Sequence, residues 1–244
     1  MAEGGKSLIL AVDTCSGRSS IALARGGADA CELLGQVELA AEWTSTALHV
    51  EIANLLGRHS LSTAAIDGYA VTNGPGSFTA VRVGTAAVKG LAEVHGRPVA
   101  AISTLALIAQ AAAWQDASAP ADALWVPLLD ARRAQVFSGI YMNSSAGVEL
   151  AEPESVSALR VVLERCRTLG AAHIHFCSPD MDAFTETLAA AELAGLRTTA
   201  VPPLLAGALA RMGLQTIART GGRSAVEVDA NYIRASDAEL FWKG

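Results

Sequence analysis

Residues 69–96 read YAVTNGPGSFTAVRVGTAAVKGLAEVHG, and this stretch decides the fold. Tyr69 to Asn73 is a short apolar run that reads as a buried strand, ended by Gly74-Pro75-Gly76. Ser77 or Thr79 then supplies a helix cap, and the following helix runs to His95 and stops at Gly96. A strand, a glycine-rich turn and a helix in immediate succession make half of a β-α-β unit. The helix is unusual for its small residues, because Ala80, Gly84, Ala86, Ala87 and Gly90 leave it with a nearly flat surface. Such a helix packs closely on its own sheet on one side and suits another helix at short range on the other.

Working outward, Pro98 to Ser103 is another buried strand and Thr104 to Gln115 another helix. On the N-terminal side, Ser7 to Cys15 and Ser19 to Arg25 are β-type runs joined by Ser16-Gly17-Arg18, a hairpin turn. A third strand lies within Glu32 to Ala40. Thr44 to His59 carries Leu48, Ile52, Leu55 and Leu56 at helical spacing. The order is βββαβαβα in the first 115 residues. Asp116 to Ala123, rich in Ala, Asp, Ser and Pro, is the best internal boundary. Beyond it the order repeats: strands at Leu124 to Leu129, Ala134 to Met142 and Val148 to Leu150, then a helix at Ser157 to Leu169. Ala172 to Cys177, Asp182 to Glu192, Thr198 to Val201 and Leu204 to Arg219 follow as strand, helix, strand and helix. Three hairpin strands followed by alternating elements predict a mixed sheet covered by helices, twice over. Expected domains are therefore 1–115, completed by the C-terminal helix and tail 204–244, and a smaller second domain 124–203.

The composition fits a folded, partner-seeking chain. Its 244 residues are 51% apolar, yet 49 are alanine and only 12 are Phe, Trp or Tyr. Only 17% are charged, which leaves room for a covered surface. A net charge of −6 and a pI near 5.4 argue against charge-driven nucleic-acid binding by this chain unaided. The apolar run Leu8 to Val12 is too short for a signal-peptide core. The longest uncharged stretch, the 18 residues Pro98 to Gln115, parses as strand and helix rather than as a membrane span. Cys15, Cys31, Cys166 and Cys177 show no metal or redox spacing, as expected of a reduced cytoplasmic protein.

Three constellations bear on chemistry. Asp13-Thr14-Cys15-Ser16, at the end of the first strand, could hold a metal-bound phosphate; it could equally be an Asx turn pinning the hairpin. Asn73 to Thr79 joins a strand to a helix N-terminus, where anions are favoured, but neither G-K-[ST] nor G-x-G-x-x-G is present. The five histidines form no ligand set: Ala53 stands four residues after His49, and His173 and His175 have no third partner. Neither G-x-S-x-G nor a cysteine in a catalytic setting occurs. Arg132-Arg133 reads as a solvated turn.

These residues resemble a known family. Ile9-Leu10-Ala11-Val12-Asp13-Thr14, His49 opening a helix, and Asn73-Gly74-Pro75-Gly76-Ser77-Phe78-Thr79 with Arg82-Val83-Gly84 are similar to the TsaB (YeaZ) family. So are Leu129-Asp130-Ala131-Arg132, Gln135-Val136-Phe137 and the closing Tyr232-Ile233-Arg234. Ala80 and Ala230 depart from the glycine and proline of the family pattern. The resemblance implies an α/β fold of two RNase H-like domains of the actin, sugar-kinase and Hsp70 (ASKHA) type. It implies a non-catalytic scaffold and activator that binds a TsaD-type catalytic subunit during threonylcarbamoyl transfer to adenosine 37 of tRNA. A TsaE-type ATPase would join them, tRNA would be met indirectly through the complex, and the isolated chain would be a homodimer. No cofactor is expected in this chain; ATP and Mg²⁺ would enter at the level of the complex. The implied interface uses His49 and Ile52 on one helix. On the loop and second helix it uses Gly74, Pro75, Gly76, Ser77 and Phe78, then Thr79, Arg82, Val83 and Ala87. Asp13 and Thr14 are the candidate nucleotide contacts. The alternative is a nucleotide-dependent phosphotransferase or ATPase of the same fold, with a peptidase-like protein as a weaker variant.

Overall fold

Six of the seven residues of β1 (Ser7–Asp13) are buried, the mark of a strand covered on both faces. The computed structural model describes residues 6–40 and 44–234, and shows β1 at the middle of a five-stranded sheet. β2 (Ser20–Gly26) and β3 (Cys31–Glu38) follow as an antiparallel meander, with Ser20 opposite Asp13. α1 (Thr44–Arg58) leads, through a 3₁₀ turn at Thr63–Ala65, into β4 (Gly68–Thr72), which runs parallel to β1 on its other side. α2 (Phe78–His95) and β5 (Val99–Ile102), parallel to β4, complete the order β3-β2-β1-β4-β5.

Alternation along β1 sorts its side chains to two layers. Leu8, Leu10 and Val12 share a core with Leu48, Ile52, Leu55 and Leu56 of α1 and with Val88 and Ala92 of α2. Gly96 ends α2 as predicted: its φ is 59°, and its N–H bonds back to the carbonyls of Ala92 and Glu93. The predicted cap is different. Ser77 stands at the N-cap position but makes no side-chain bond there, and Thr79 lies inside the helix. A true hydroxyl cap opens α3 (Thr104–Gln115), where Ser103 Oγ accepts the N–H groups of Leu105 at 3.1 Å and Ala106 at 3.4 Å.

The second sheet repeats the first. β6 (Leu124–Asp130), β7 (Val136–Ser144) and β8 (Gly147–Ser157) form an antiparallel meander. α4 (Leu159–Leu169), β9 (Ile174–Ser178), α5 (Asp182–Ala189) and β10 (Leu196–Ala200) follow, and β9 and β10 add parallel strands to give β10-β9-β6-β7-β8. Leu124, Val126 and Leu128 meet Val162, Leu163 and Cys166 of α4 and Phe184 and Leu188 of α5. β8 spans 11 residues, not the three expected at Val148 to Leu150. It is an edge strand, and its sequence GVELAEPESVS carries the acids and proline that protect an edge but hide strand periodicity.

α6 (Ala206–Thr220) returns to the first sheet and packs on β1, β2, β4 and β5. Its approach depends on Gly213, where a Cβ would stand 2.6 Å from Ala70 Cβ and 2.7 Å from Ile9 Cδ1. Contacts accordingly divide the chain into two units, the described residues of 1–107 with 204–231 and those of 108–203 with 232–244. Each unit is a five-stranded mixed sheet with helices packed on it. Among the described residues, no helix is long and apolar enough to cross a membrane.

Candidate functional site

The end of β1 is a sealed polar knot. Asp13 is fully buried; its Oδ1 accepts the N–H of Cys15 at 3.0 Å, the N–H of Ser16 at 3.2 Å and the Thr72 hydroxyl at 2.9 Å. Oδ2 accepts the Ser16 hydroxyl. Burial pushes the Asp13 carboxyl above the usual carboxylate range, against the lowering effect of these donors. Burial, together with the charge of Asp13, pushes the Cys15 thiol up to about 11, which favours its neutral form. Thr14 donates its hydroxyl to the Ala80 carbonyl at 2.7 Å, and a Cβ at Gly84 would stand 2.5 Å from its Oγ1. The Asx-turn reading therefore describes what Asp13 does. Asp13 and Thr14, the candidate nucleotide contacts, spend their polar groups inside the first unit.

The turn after β4 is also built inward at its start. Gly74 adopts φ 108° and lies so close to the chain at Asn231 that a Cβ would meet Asn231 O at 2.7 Å. Asn73 Nδ2 donates to Asp229 O at 2.9 Å, and Asn231 N donates to Asn73 O at 2.6 Å. Lys89 Nζ donates to Val228 O at 2.8 Å. Residues 228–231 thus form a strap across the turn and α2. Sequence reasoning missed this strap, because it binds mostly through backbone groups that every residue carries.

Beyond Gly76 the chain faces outward. Ser77, Phe78, Thr79 and Arg82 are exposed, and the Arg82 guanidinium lies 3.7 Å from the centroid of the Phe78 ring. His49 is exposed on α1, while Val83 is half-buried against the core. Of the residues the resemblance places at the interface, Ile52 and Ala87 point into the core, and Gly74 and Pro75 are buried in the turn. The exposed rows pass through their neighbours. On α1 these are Val50, Ala53 and Gly57; on α2 they are Ala86, Gly90 and Val94. The two helices are packed against each other, and a Cβ at Gly57 or Gly90 would meet nothing within 4 Å. These positions are small or apolar, and Asn54, Arg58, Arg82 and Glu93 are exposed on the same two helices.

In the second unit, Asp130 Oδ1 accepts the N–H of Arg132 at 2.8 Å, and Arg132, Arg133 and Ala134 all have positive φ, at 61°, 55° and 56°. Arg234 braces this turn, donating to Ala131 O at 2.6 Å and to Gln135 Oε1, with its guanidinium 5.6 Å from the Phe137 ring centroid. The family-like residues 129–137 and 232–234 therefore meet. His175 is buried with its Nδ1 3.9 Å from Asp116 Oδ2, and burial lowers its pKa. Among the described residues, no three His, Cys, Asp or Glu side chains gather as a metal site.

The family model described as TsaD, tRNA N6-adenosine threonylcarbamoyltransferase, matches residues 38–239. The tRNA threonylcarbamoyladenosine biosynthesis protein TsaB of Bacillus subtilis is 30% identical over 60% of this chain, and the match spans 60% of that relative's length. The Escherichia coli protein of the same name is 30% identical over 66% of this chain and 67% of its own. Among solved structures, a Pseudomonas aeruginosa protein with similarity to peptidase YeaZ superposes with a TM-score of 0.74 at 25% identity, covering 93% of this chain and all of that one. YeaZ from the same organism gives 0.69 at 24% identity over 93% of this chain and 99% of its own, a likeness of fold. The chain belongs to the TsaB (YeaZ) family.

Proposed function

We propose that this chain is a non-catalytic scaffold and activator in the synthesis of threonylcarbamoyladenosine in tRNA, working in the cytoplasm. It docks on a TsaD-type catalytic subunit through the outward faces of α1 and α2, and on a second copy of itself when alone. The observation that carries this reading is the pair of adjacent exposed rows Val50-Ala53-Gly57 and Ala86-Gly90-Val94, small or apolar at every position. Covering such a surface releases ordered water, and its small residues let helices approach to about 8 Å. The inward use of Asp13 and Thr14 supports a supporting role, because the β1 carboxylate already has its donors. Activation then requires tighter binding to the competent conformation of the catalytic subunit than to the incompetent one. tRNA and a TsaE-type ATPase, with its ATP and Mg²⁺, are met through that complex, in keeping with the acidic charge of this chain.

The test is co-purification of the full chain with a TsaD-type subunit, scored together with formation of the modified nucleoside. Ala53→Arg and Ala86→Arg, both at exposed positions, are expected to abolish the complex and the product while leaving the thermal midpoint of the isolated chain within a few degrees. Wild-type complex formation and modification by both variants would overturn the reading.

A further inference from the structure

Tyr141, Trp125, His175 and Arg197 form one row across the second sheet, each opposite the next in register and on the same face. The centre of the row is dry: Trp125 is 0% and His175 1% exposed, with their ring centroids 4.5 Å apart. The imidazole is poorly matched to this place. Its Nε2 has no hydrogen-bond partner among the described residues, and its Nδ1 stands 3.9 Å from Asp116 Oδ2, beyond bonding reach. A neutral ring tolerates this, whereas a charged one would hold two N–H donors with no acceptor in place. Asp116 opens the connection 116–123 between α3 and β6, and that connection is held mainly by its own local bonds. Ser118 Oγ donates to Asp116 Oδ1 at 2.7 Å, Ala119 N to Asp116 O at 3.1 Å and Ala123 N to Pro120 O at 3.0 Å. Asn143 ties it to the sheet, donating to Pro120 O at 3.1 Å while accepting Trp125 Nε1 at 2.9 Å. Ala117, Ser118, Ala121 and Asp122 are exposed, so little apolar area is lost when this segment lifts.

We propose that the connection 116–123 is an acid-released cover, opened when the buried His175 ring takes up a proton. In the open state the ring meets water and titrates near the ordinary histidine value of about 6.5. In the closed state the same proton would create a cation in an apolar site. Each pH unit below the ordinary value therefore favours opening about tenfold, until the closed ring is protonated as well. The surrounding groups agree with this direction. Burial is the largest influence against the charged ring; Asp116 works the other way, and Arg197 of β10 and His173 before β9 add to burial. Cys177, on the same face of β9, stays neutral because burial raises its thiol. Tyr141 of β7 donates its hydroxyl to Glu154 of β8, and α3 carries no titratable side chain. The closed cover is thus fully stable above the ordinary histidine value and loses stability as pH falls below it. This device does not depend on the reading of α1 and α2 as a docking face.

Hydrogen exchange of the full chain tests it, read as the protection of the amides of 116–126 after correction for the pH dependence of the intrinsic rate. Wild type is expected to lose protection there by about tenfold between about pH 7.5 and about pH 5.5. His175→Phe keeps a ring beside Trp125 and removes both nitrogens, and its protection is expected to stay constant over that range. His173→Gln removes the neighbouring histidine and is expected to keep the wild-type fall. A further readout needs no variant: the ring carbon shifts of His175 in wild type are expected to titrate below the ordinary histidine value, in step with the loss of protection. Constant protection in wild type, an undiminished fall in His175→Phe, a fall abolished in His173→Gln, or a His175 ring that titrates while protection holds would each overturn the acid-released cover.

Discussion

Two turns of this molecule begin alike and end differently. Asp13 closes β1 and accepts the N–H of Cys15 two residues on; Asp130 closes β6 and accepts the N–H of Arg132 two residues on. Both are Asx turns at the same place in a repeated sheet order, an echo between the units at the level of single atoms. The first is sealed: Asp13 is 0% exposed, with Thr14 pressed against Gly84 of α2. The second is open, with half of the Asp130 side chain and most of that of Arg132 in water. One carboxylate holds a core together, whereas the other shapes a surface turn. The same local motif therefore carries different energetic weight, and burial sets the difference.

Removing the buried carboxylate is expected to have the largest effect. Asp13→Ala strands two N–H groups and two hydroxyls without their acceptor, and should cost about 3 kcal/mol or more in chemical denaturation. Asp13→Asn keeps an acceptor for the amides of Cys15 and Ser16 and removes the titration. Because burial raises the Asp13 pKa in the fold, the native state holds the proton more tightly than the unfolded chain does. Its stabilisation is fully present below the ordinary value near 4 and is lost as pH rises through the native value. The stability of wild type relative to Asp13→Asn should therefore fall over that window; a constant difference would show that Asp13 titrates normally.

Gly84→Ala comes next, at about 1–3 kcal/mol, since the new methyl group would stand 2.5 Å from Thr14 Oγ1. Thr14→Ala in the same chain should recover part of that loss, and strict additivity of the two changes would break the claim that they press on each other. Asp130→Ala should cost about 1 kcal/mol, because water can replace the carboxylate at an exposed turn. A loss equal to that of Asp13→Ala would erase the contrast between the turns. The smallest effect expected is a gain: Ala134→Gly relieves a left-handed residue and should stabilise by about 0.5 kcal/mol, the relief slightly exceeding the added freedom of the unfolded chain.

Much of this was legible in the sequence for physical reasons. The stripe Leu48, Ile52, Leu55 and Leu56 announced α1, and Gly96 announced the end of α2. The same stripe already assigned Ile52 to the core, and the phase of α2 likewise turned Ala87 inward. A family motif marks which segment matters, but the 3.6-residue period decides which of its residues reach the surface. Other features left no trace. The grip of residues 228–231 on the turn at Asn73 runs mostly through backbone carbonyls and an amide, groups common to all sequences. β8 hid because an exposed edge need not alternate.

The place of α6 sets an order of events for the growing chain. The first sheet is complete in its strands by residue 102, yet the helix that covers Ile9 and Ala70 begins at residue 206. During synthesis that apolar face emerges early and must wait while all of residues 108–203, a contiguous stretch, are made and can fold. The sheet translated first thus gains this cover only after every strand of the second sheet has been made.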